Sequence, residues 1–179
     1  MTVEIRIIED QAEARAARGQ VGGLLAAAFA EPPYHREPGD ADAMLKRFDR
    51  HVRKPGFRLV LAFDDEQVIA VGYGYTLPAD TGWWNDVLEP VPAEIAREDG
   101  KRSFAVFELG VDPARRREHL AERVHQALIK DRPEQRVVLN TRQDAAAARA
   151  AYAKWGYRRV TSVIPWQGAP VYDVMVLGL

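Results

Sequence analysis

The stretch Glu108-Leu109-Gly110-Val111-Asp112-Pro113-Ala114-Arg115-Arg116-Arg117-Glu118-His119-Leu120-Ala121 carries the most information in this 179-residue chain. Its first residues continue an alternating pattern that begins at Ser103, Asp112-Pro113 interrupts that pattern, and Leu120, Val124, Ala127 and Leu128 then recur at helical spacing. A strand therefore runs through a basic turn into a helix. The first turn of a helix presents N–H groups without partners and the positive end of the dipole, which suits a diphosphate, and Arg115, Arg116 and Arg117 add charge there. The same run also reads as a solvated basic patch, and the segment alone does not separate the two.

Working outward, Val3, Ile5 and Ile7 predict a first strand, and Asp10 with Glu13 forms a capping-box pattern that starts a helix reaching Phe29. Gly22 and Gly23 weaken that helix, and Glu31-Pro32-Pro33 ends it. A second helix is expected over 41–52. Phe57, Leu59, Leu61 and Phe63 mark a strand, Asp64-Asp65-Glu66 a turn, and 68–77 its hairpin partner. On that partner Ile69, Val71, Tyr73 and Tyr75 share one face, whereas Gly72 and Gly74 leave the other bare for something to pack close. Residues 78–100 read as an irregular surface excursion with a helical turn near Ala93. Downstream come a strand at 137–141, a helix from Ala146 to Trp155 closed by Gly156, and strands at 157–164 and 172–177. The order β-α-α-β-β-β-α-β-α-β-β mixes hairpins with crossovers and predicts one α/β domain on a mixed sheet, residues 1–179.

Composition excludes several chemistries. No cysteine is present, so disulfides, thiolate metal sites and Cys nucleophiles are ruled out, and the four histidines lack zinc-binding spacing, so no metal is expected. A net charge of -1 gives no bulk attraction to nucleic acid or to an anionic membrane. The N-terminus MTVEIRIIED reads as neither signal nor anchor, and a cytoplasmic protein is expected, with self-association into a homodimer left open. Heavy use of Ala and Arg suggests a bacterial source.

A second segment, Ala148-Arg149-Ala150-Ala151-Tyr152-Ala153-Lys154-Trp155-Gly156-Tyr157, pairs with the first. Together they resemble the GNAT acetyltransferases, whose pyrophosphate loop follows the central strand as Gln/Arg-x-x-Gly-x-Gly/Ala and whose later helix carries Ala-x-x-x-Tyr-x-x-x-Gly-Phe. Arg116 and Ala121 occupy the ends of the loop pattern. The resemblance implies a GNAT-like fold and acetyl-CoA as co-substrate, with Arg116, Arg117, His119, Leu120 and Ala121 holding the diphosphate. It also implies a kinked central strand whose main chain at Leu109 and Val111 meets pantetheine, with Gly110 placed for a bulge. Tyr152 would protonate the departing thiolate. Two positions depart from the pattern: His119 stands at its first glycine, and Ala145 stands where many members carry asparagine.

Acyl transfer to an amine needs a base, and Glu108, on a strand face with Phe104 and Val106, is the candidate, in apolar surroundings or in an ion pair with a nearby arginine. Tyr73, Tyr75, Trp83 and Trp84 are candidate acceptor contacts, since aromatic groups with Asp80, Asp86 and Glu89 nearby suit a cationic amine on a small molecule or peptide. The expected function is acyl transfer from coenzyme A to a primary amine without a covalent enzyme intermediate. The alternatives are a catalytically weak coenzyme A-binding sensor or interaction domain of the same fold, and a ligand-sequestering protein using the bare glycine face.

Overall fold

A computed structural model describes residues 3–179. Its seven strands form one sheet of order β1-β2-β3-β4-β5-β7-β6. The chain gathers into two compact units, one comprising residues up to Tyr75 together with Val106–Arg132, the other Thr76–Ala105 with Pro133–Leu179. Strands β3 (Gln67–Thr76) and β4 (Ser103–Val111) each contribute to both.

In the first unit, β1 (Glu4–Ile8) pairs antiparallel with β2 (Arg58–Asp64), which turns at Asp65, φ 51°, into β3. Leu59 lies opposite Tyr73 and Leu61 opposite Val71, so the period-two pattern sets the register. Asp10 caps α1 (Gln11–Ala16), its Oδ1 accepting from the Glu13 amide at 2.9 Å. The single helix expected from here to Phe29 is divided: Ala17, with ψ near -2°, separates α1 from α2 (Arg18–Phe29). Gly19, Gly22 and Gly23 give this stretch little intrinsic stiffness, so packing decides its path. Gly22 has a packing reason as well. A Cβ there would lie 2.8 Å from Leu45 Cδ2 of α3 (Asp40–His51), so its absence lets α2 and α3 approach.

The Gly72 face is filled. A Cβ on Gly72 would stand 2.8 Å from both Val124 Cγ1 and Leu128 Cδ1 of α5 (Leu120–Ile129) and 3.2 Å from Leu109 Cδ1. The apolar stripe of α5 packs into the bare strand surface, and no open face for a sequestered ligand exists at Gly72.

In the second unit β7 (Tyr172–Gly178) is flanked antiparallel by β5 (Arg136–Arg142) and β6 (Arg158–Val163), with Leu139 opposite Met175 and Ser162 opposite Asp173. A one-turn helix α4 (Ala93–Ala96) sits where a helical turn was expected. Helix α6 (Ala146–Lys154) is followed by Gly156 at φ 94°, a conformation that favours glycine. Its N-cap, Ala145, makes no side-chain cap bond.

The expectation that 78–100 lies at the surface is corrected at two residues. Trp84 and Glu98 are buried, and Glu98 Oε1 accepts from Trp84 Nε1 (3.0 Å), Ser103 Oγ (2.8 Å) and Arg136 Nη2 (2.7 Å). An ionised carboxylate leaves water only with such partners, and this knot anchors the excursion to β5. Among the described residues no helix is long and apolar enough to cross a membrane.

Candidate functional site

Between β4 and α5 the chain makes a short 3₁₀ turn, Pro113–Arg115, whose start is fixed by Asp112 Oδ1 accepting from the Ala114 amide at 2.9 Å. Arg117 (φ 68°) and His119 (φ 58°) are both left-handed, a conformation that costs an L-residue about 1–2 kcal/mol. This gives a local reason for the pattern's glycine at position 119, beyond close approach to phosphate. His119 caps α5 without a side-chain bond, so the amides of the first helical turn have neither an intrahelical nor a capping partner. Its imidazole is 73% exposed, with Nδ1 3.5 Å from Glu122 Oε2. Leu120 is buried, Ala121 and Val111 are half-buried, and Arg117 is exposed.

The arginines bring less net charge than their number suggests. Arg115 pairs with Asp64 (2.5 Å) and Glu118 (2.9 Å), which raises its already high pKa, first through the Glu118 and then the Asp64 hydrogen bond. Arg116 donates to Glu31 (2.5 Å) and to the Ala28 carbonyl (3.3 Å). Two of the three guanidiniums are thus matched by carboxylates from elsewhere in the first unit.

Glu108 is buried, its side chain 4% exposed, but its surroundings are not apolar. Arg47 of α3 makes a hydrogen-bonded ion pair with Glu108 Oε1, and Arg36 Nη1 lies 3.6 Å from the same oxygen. The ion pair that the sequence allowed as an alternative is the one found, although its arginines come from the α2–α3 connection and from α3 instead of the basic turn. Burying one carboxylate requires one such partner; the second guanidinium exceeds that need. Phe107 also faces α3, its ring 4.3 Å from that of His51. Gly110 is packed, a Cβ there falling 3.0 Å from Leu25 Cδ2 and 3.2 Å from Ala28 Cβ.

Around Glu108 stands an aromatic wall. Tyr75 stacks on Phe107 at 4.5 Å, His51 meets Tyr75 edge-on at 5.0 Å, and Tyr73 packs edge-on against Phe48 at 5.2 Å. Burial, and then the charge of Glu108, push the Tyr73 hydroxyl well above the usual phenol range, so it remains a proton donor. Burial and the charges of Arg47, Arg50 and Lys54 lower His51 to about 3, leaving a neutral ring at physiological pH. Three buried polar atoms in this group have no hydrogen-bond partner: Arg47 Nε, His51 Nδ1 and the Tyr73 hydroxyl, which lies against Arg47 without bonding geometry.

In the second unit Tyr152 is half-buried, its ring edge-on to Trp155 and Tyr157, each 5.5 Å away. Trp83 is half-buried, its amide donating to Thr81 Oγ1 at 3.2 Å. Trp84 is committed to the Glu98 knot and its indole N–H is taken, which corrects its assignment as an acceptor contact. The structure thus brings Tyr73, Tyr75 and Glu108 together within the first unit.

Arg36, Arg47 and His51 are not singled out by the sequence reading. A signal for two of them exists: Met44, Arg47, Phe48 and His51 follow the i, i+3, i+4, i+7 rule, so a cation and an imidazole sit on the buried stripe of α3. Among the described residues no group of three or more His, Asp or Glu side chains could hold a metal ion.

A sequence search of curated proteins gives no match. Among solved structures, the fold is similar to that of PaiA N-acetyltransferase from Thermoplasma acidophilum in complex with coenzyme A (9% identity over 100% of both chains, TM-score 0.67). It is also similar to the ribosomal-protein-S18-alanine N-acetyltransferase from Escherichia coli (15% identity over 99% of this chain and 94% of that one, TM-score 0.66). NAA60 from Arabidopsis thaliana, in complex with a bisubstrate analogue, aligns over 99% and 98% of the two chains at 14% identity with a TM-score of 0.69. The model of the acetyltransferase (GNAT) family matches residues 24–157, a span that includes both motif segments, and the chain belongs to that family.

Proposed function

We propose that this protein is a cytoplasmic, single-domain N-acyltransferase that moves an acyl group, acetyl in the first instance, from coenzyme A to a primary amine on a small molecule or peptide. The observation that carries the reading is the family match, which includes the α5 loop and the Tyr152 segment. The co-substrate supplies an activated thioester. The residues that fit it are main-chain donors: the uncapped first turn of α5 and the left-handed positions Arg117 and His119 offer N–H groups to a diphosphate, with Leu120 and Ala121 completing the turn. Main chain at Leu109 and Val111 takes the pantetheine arm. Glu108, fixed by Arg47, accepts the proton lost by the attacking nitrogen, directly or through water, and the Tyr152 hydroxyl supplies the proton to the departing sulfur. Tyr73 and Tyr75 line the acceptor side.

The test is release of thiol from acetyl-CoA on addition of a panel of primary amines, with mass spectrometry of the acylated product. Amine-dependent release supports the reading. A second reading, a coenzyme A-binding sensor that turns over weakly, is favoured by the engagement of Glu108 with two arginines and by the side chain at position 119. Coenzyme A binding without release for any amine would select it.

A further inference from the structure

Arg36, Arg47 and Glu108 place two guanidiniums on one carboxylate, and one positive charge is left over. The two arginine side chains are 28% and 34% exposed, so both reach the surface of the site while Glu108 lies behind them. Arg36 is held in place, its guanidinium 4.4 Å above the Phe29 ring, which Tyr34 braces edge-on at 4.7 Å. Beside this pair the Tyr73 hydroxyl, on a residue with no exposed surface, and Arg47 Nε have no hydrogen-bond partner. Buried donors left unmade are costly, and these two lie beside the guanidiniums of Arg36 and Arg47, where a ligand oxygen would satisfy them.

Arg36 also lines a cavity of about 190 Å³ whose other walls include Ala26, Ala30, Ala41 and Met44, room for an apolar side chain. Glu37 and Asp40 stand at this cavity too, both exposed, with Asp40 Oδ2 accepting from the Glu37 amide at 2.9 Å.

We propose that Arg36 and Arg47, with the Tyr73 hydroxyl, bind a carboxylate of the acceptor, so that the acceptor is an amino acid whose free carboxylate adjoins its amine. The proposal rests on the acyltransferase reading and names its substrate class. The planar pair of oxygens of a carboxylate suits the guanidinium forks of Arg36 and Arg47.

The experiment titrates matched pairs, glycine and glycinamide, methionine and methioninamide, phenylalanine and phenylalaninamide, into the coenzyme A-saturated protein by calorimetry, and repeats this with Arg36→Gln, in which Glu108 keeps Arg47. For at least one pair the acid should bind about tenfold more tightly than the amide, the worth of a charge-assisted contact, and the variant should lose most of that preference at unchanged coenzyme A affinity. Equal binding of acid and amide throughout, no binding by any pair, or a preference that survives Arg36→Gln overturns the proposal. Thiol release run in parallel separates the two claims. Turnover of amides and acids alike leaves the acyltransferase reading standing and the carboxylate site refuted, whereas acid-selective binding without turnover does the reverse.

Discussion

Substitution of Arg47 by methionine tests how Glu108 is held. The replacement keeps an unbranched side chain of similar reach on α3 and removes the charge, leaving a carboxylate whose side chain is 4% exposed with only Arg36, 3.6 Å away, to balance it. Breaking a buried pair from one side typically costs 3–5 kcal/mol, and the remaining guanidinium together with the partial exposure of Arg47 brings the expected loss to about 2–4 kcal/mol. For a chain of this length that is a fall in Tm of about 6–12 °C. Glu108→Gln costs less, about 1 kcal/mol, because Arg47 can turn toward water. The double variant then restores about 2 kcal/mol relative to the sum of the singles, a coupling read from urea denaturation of all four proteins. Additivity within about 0.5 kcal/mol would refute the view that these side chains form one electrostatic unit.

Gly72→Val should destabilise by about 1–3 kcal/mol, because its side chain would enter space held by Val124 and Leu128, and a variant as stable as the parent would show that α5 can move aside. His51 and His125, lowered by burial to about 3 and about 4, stay neutral in the fold while the unfolded chain takes up protons below about pH 6.5. Their contribution is therefore complete above that pH and is lost as pH falls toward 4; His125→Gln should flatten the decline by up to about 3 kcal/mol, and an unaltered stability profile would contradict it. At the α5 loop, His119→Gly should weaken coenzyme A binding about threefold to tenfold if the imidazole bonds a phosphate oxygen, whereas tighter binding in a calorimetric titration would show that the ring obstructs.

Elements governed by local chemistry were legible from residue order. Alternation placed β4 at Ser103–Val111, Asp10 and Glu13 marked the start of α1, and Gly156 marked the end of α6 at its left-handed position. What escaped depends on residues far apart in the chain. Arg47 meets Glu108 across 61 positions, and Arg136 reaches Glu98 across 38, so neither pairing has a local signature. The division at Ala17 escaped for a different reason: helical spacing continues through it, and no residue there marks a break. Gly72 was seen as bare, but which element would cover it could not be read from the strand alone. The family resemblance supplied roles for Tyr152 and the α5 loop that spacing by itself left open between chemistry and packing.

The central claim, acyl transfer assisted by the Tyr152 hydroxyl, is tested most directly by comparing the parent with Tyr152→Phe in an acetyl-CoA thiol-release assay beside calorimetric coenzyme A binding. The ring sits between Trp155 and Tyr157, so phenylalanine keeps the packing while the proton donor is lost. Loss of general-acid assistance should lower kcat by about 10²–10⁴-fold. Coenzyme A affinity should stay within about threefold, since packing is retained. Unchanged turnover, or a fall in turnover matched by an equal loss of coenzyme A binding, would contradict the account and return Tyr152 to a purely structural place beside Trp155.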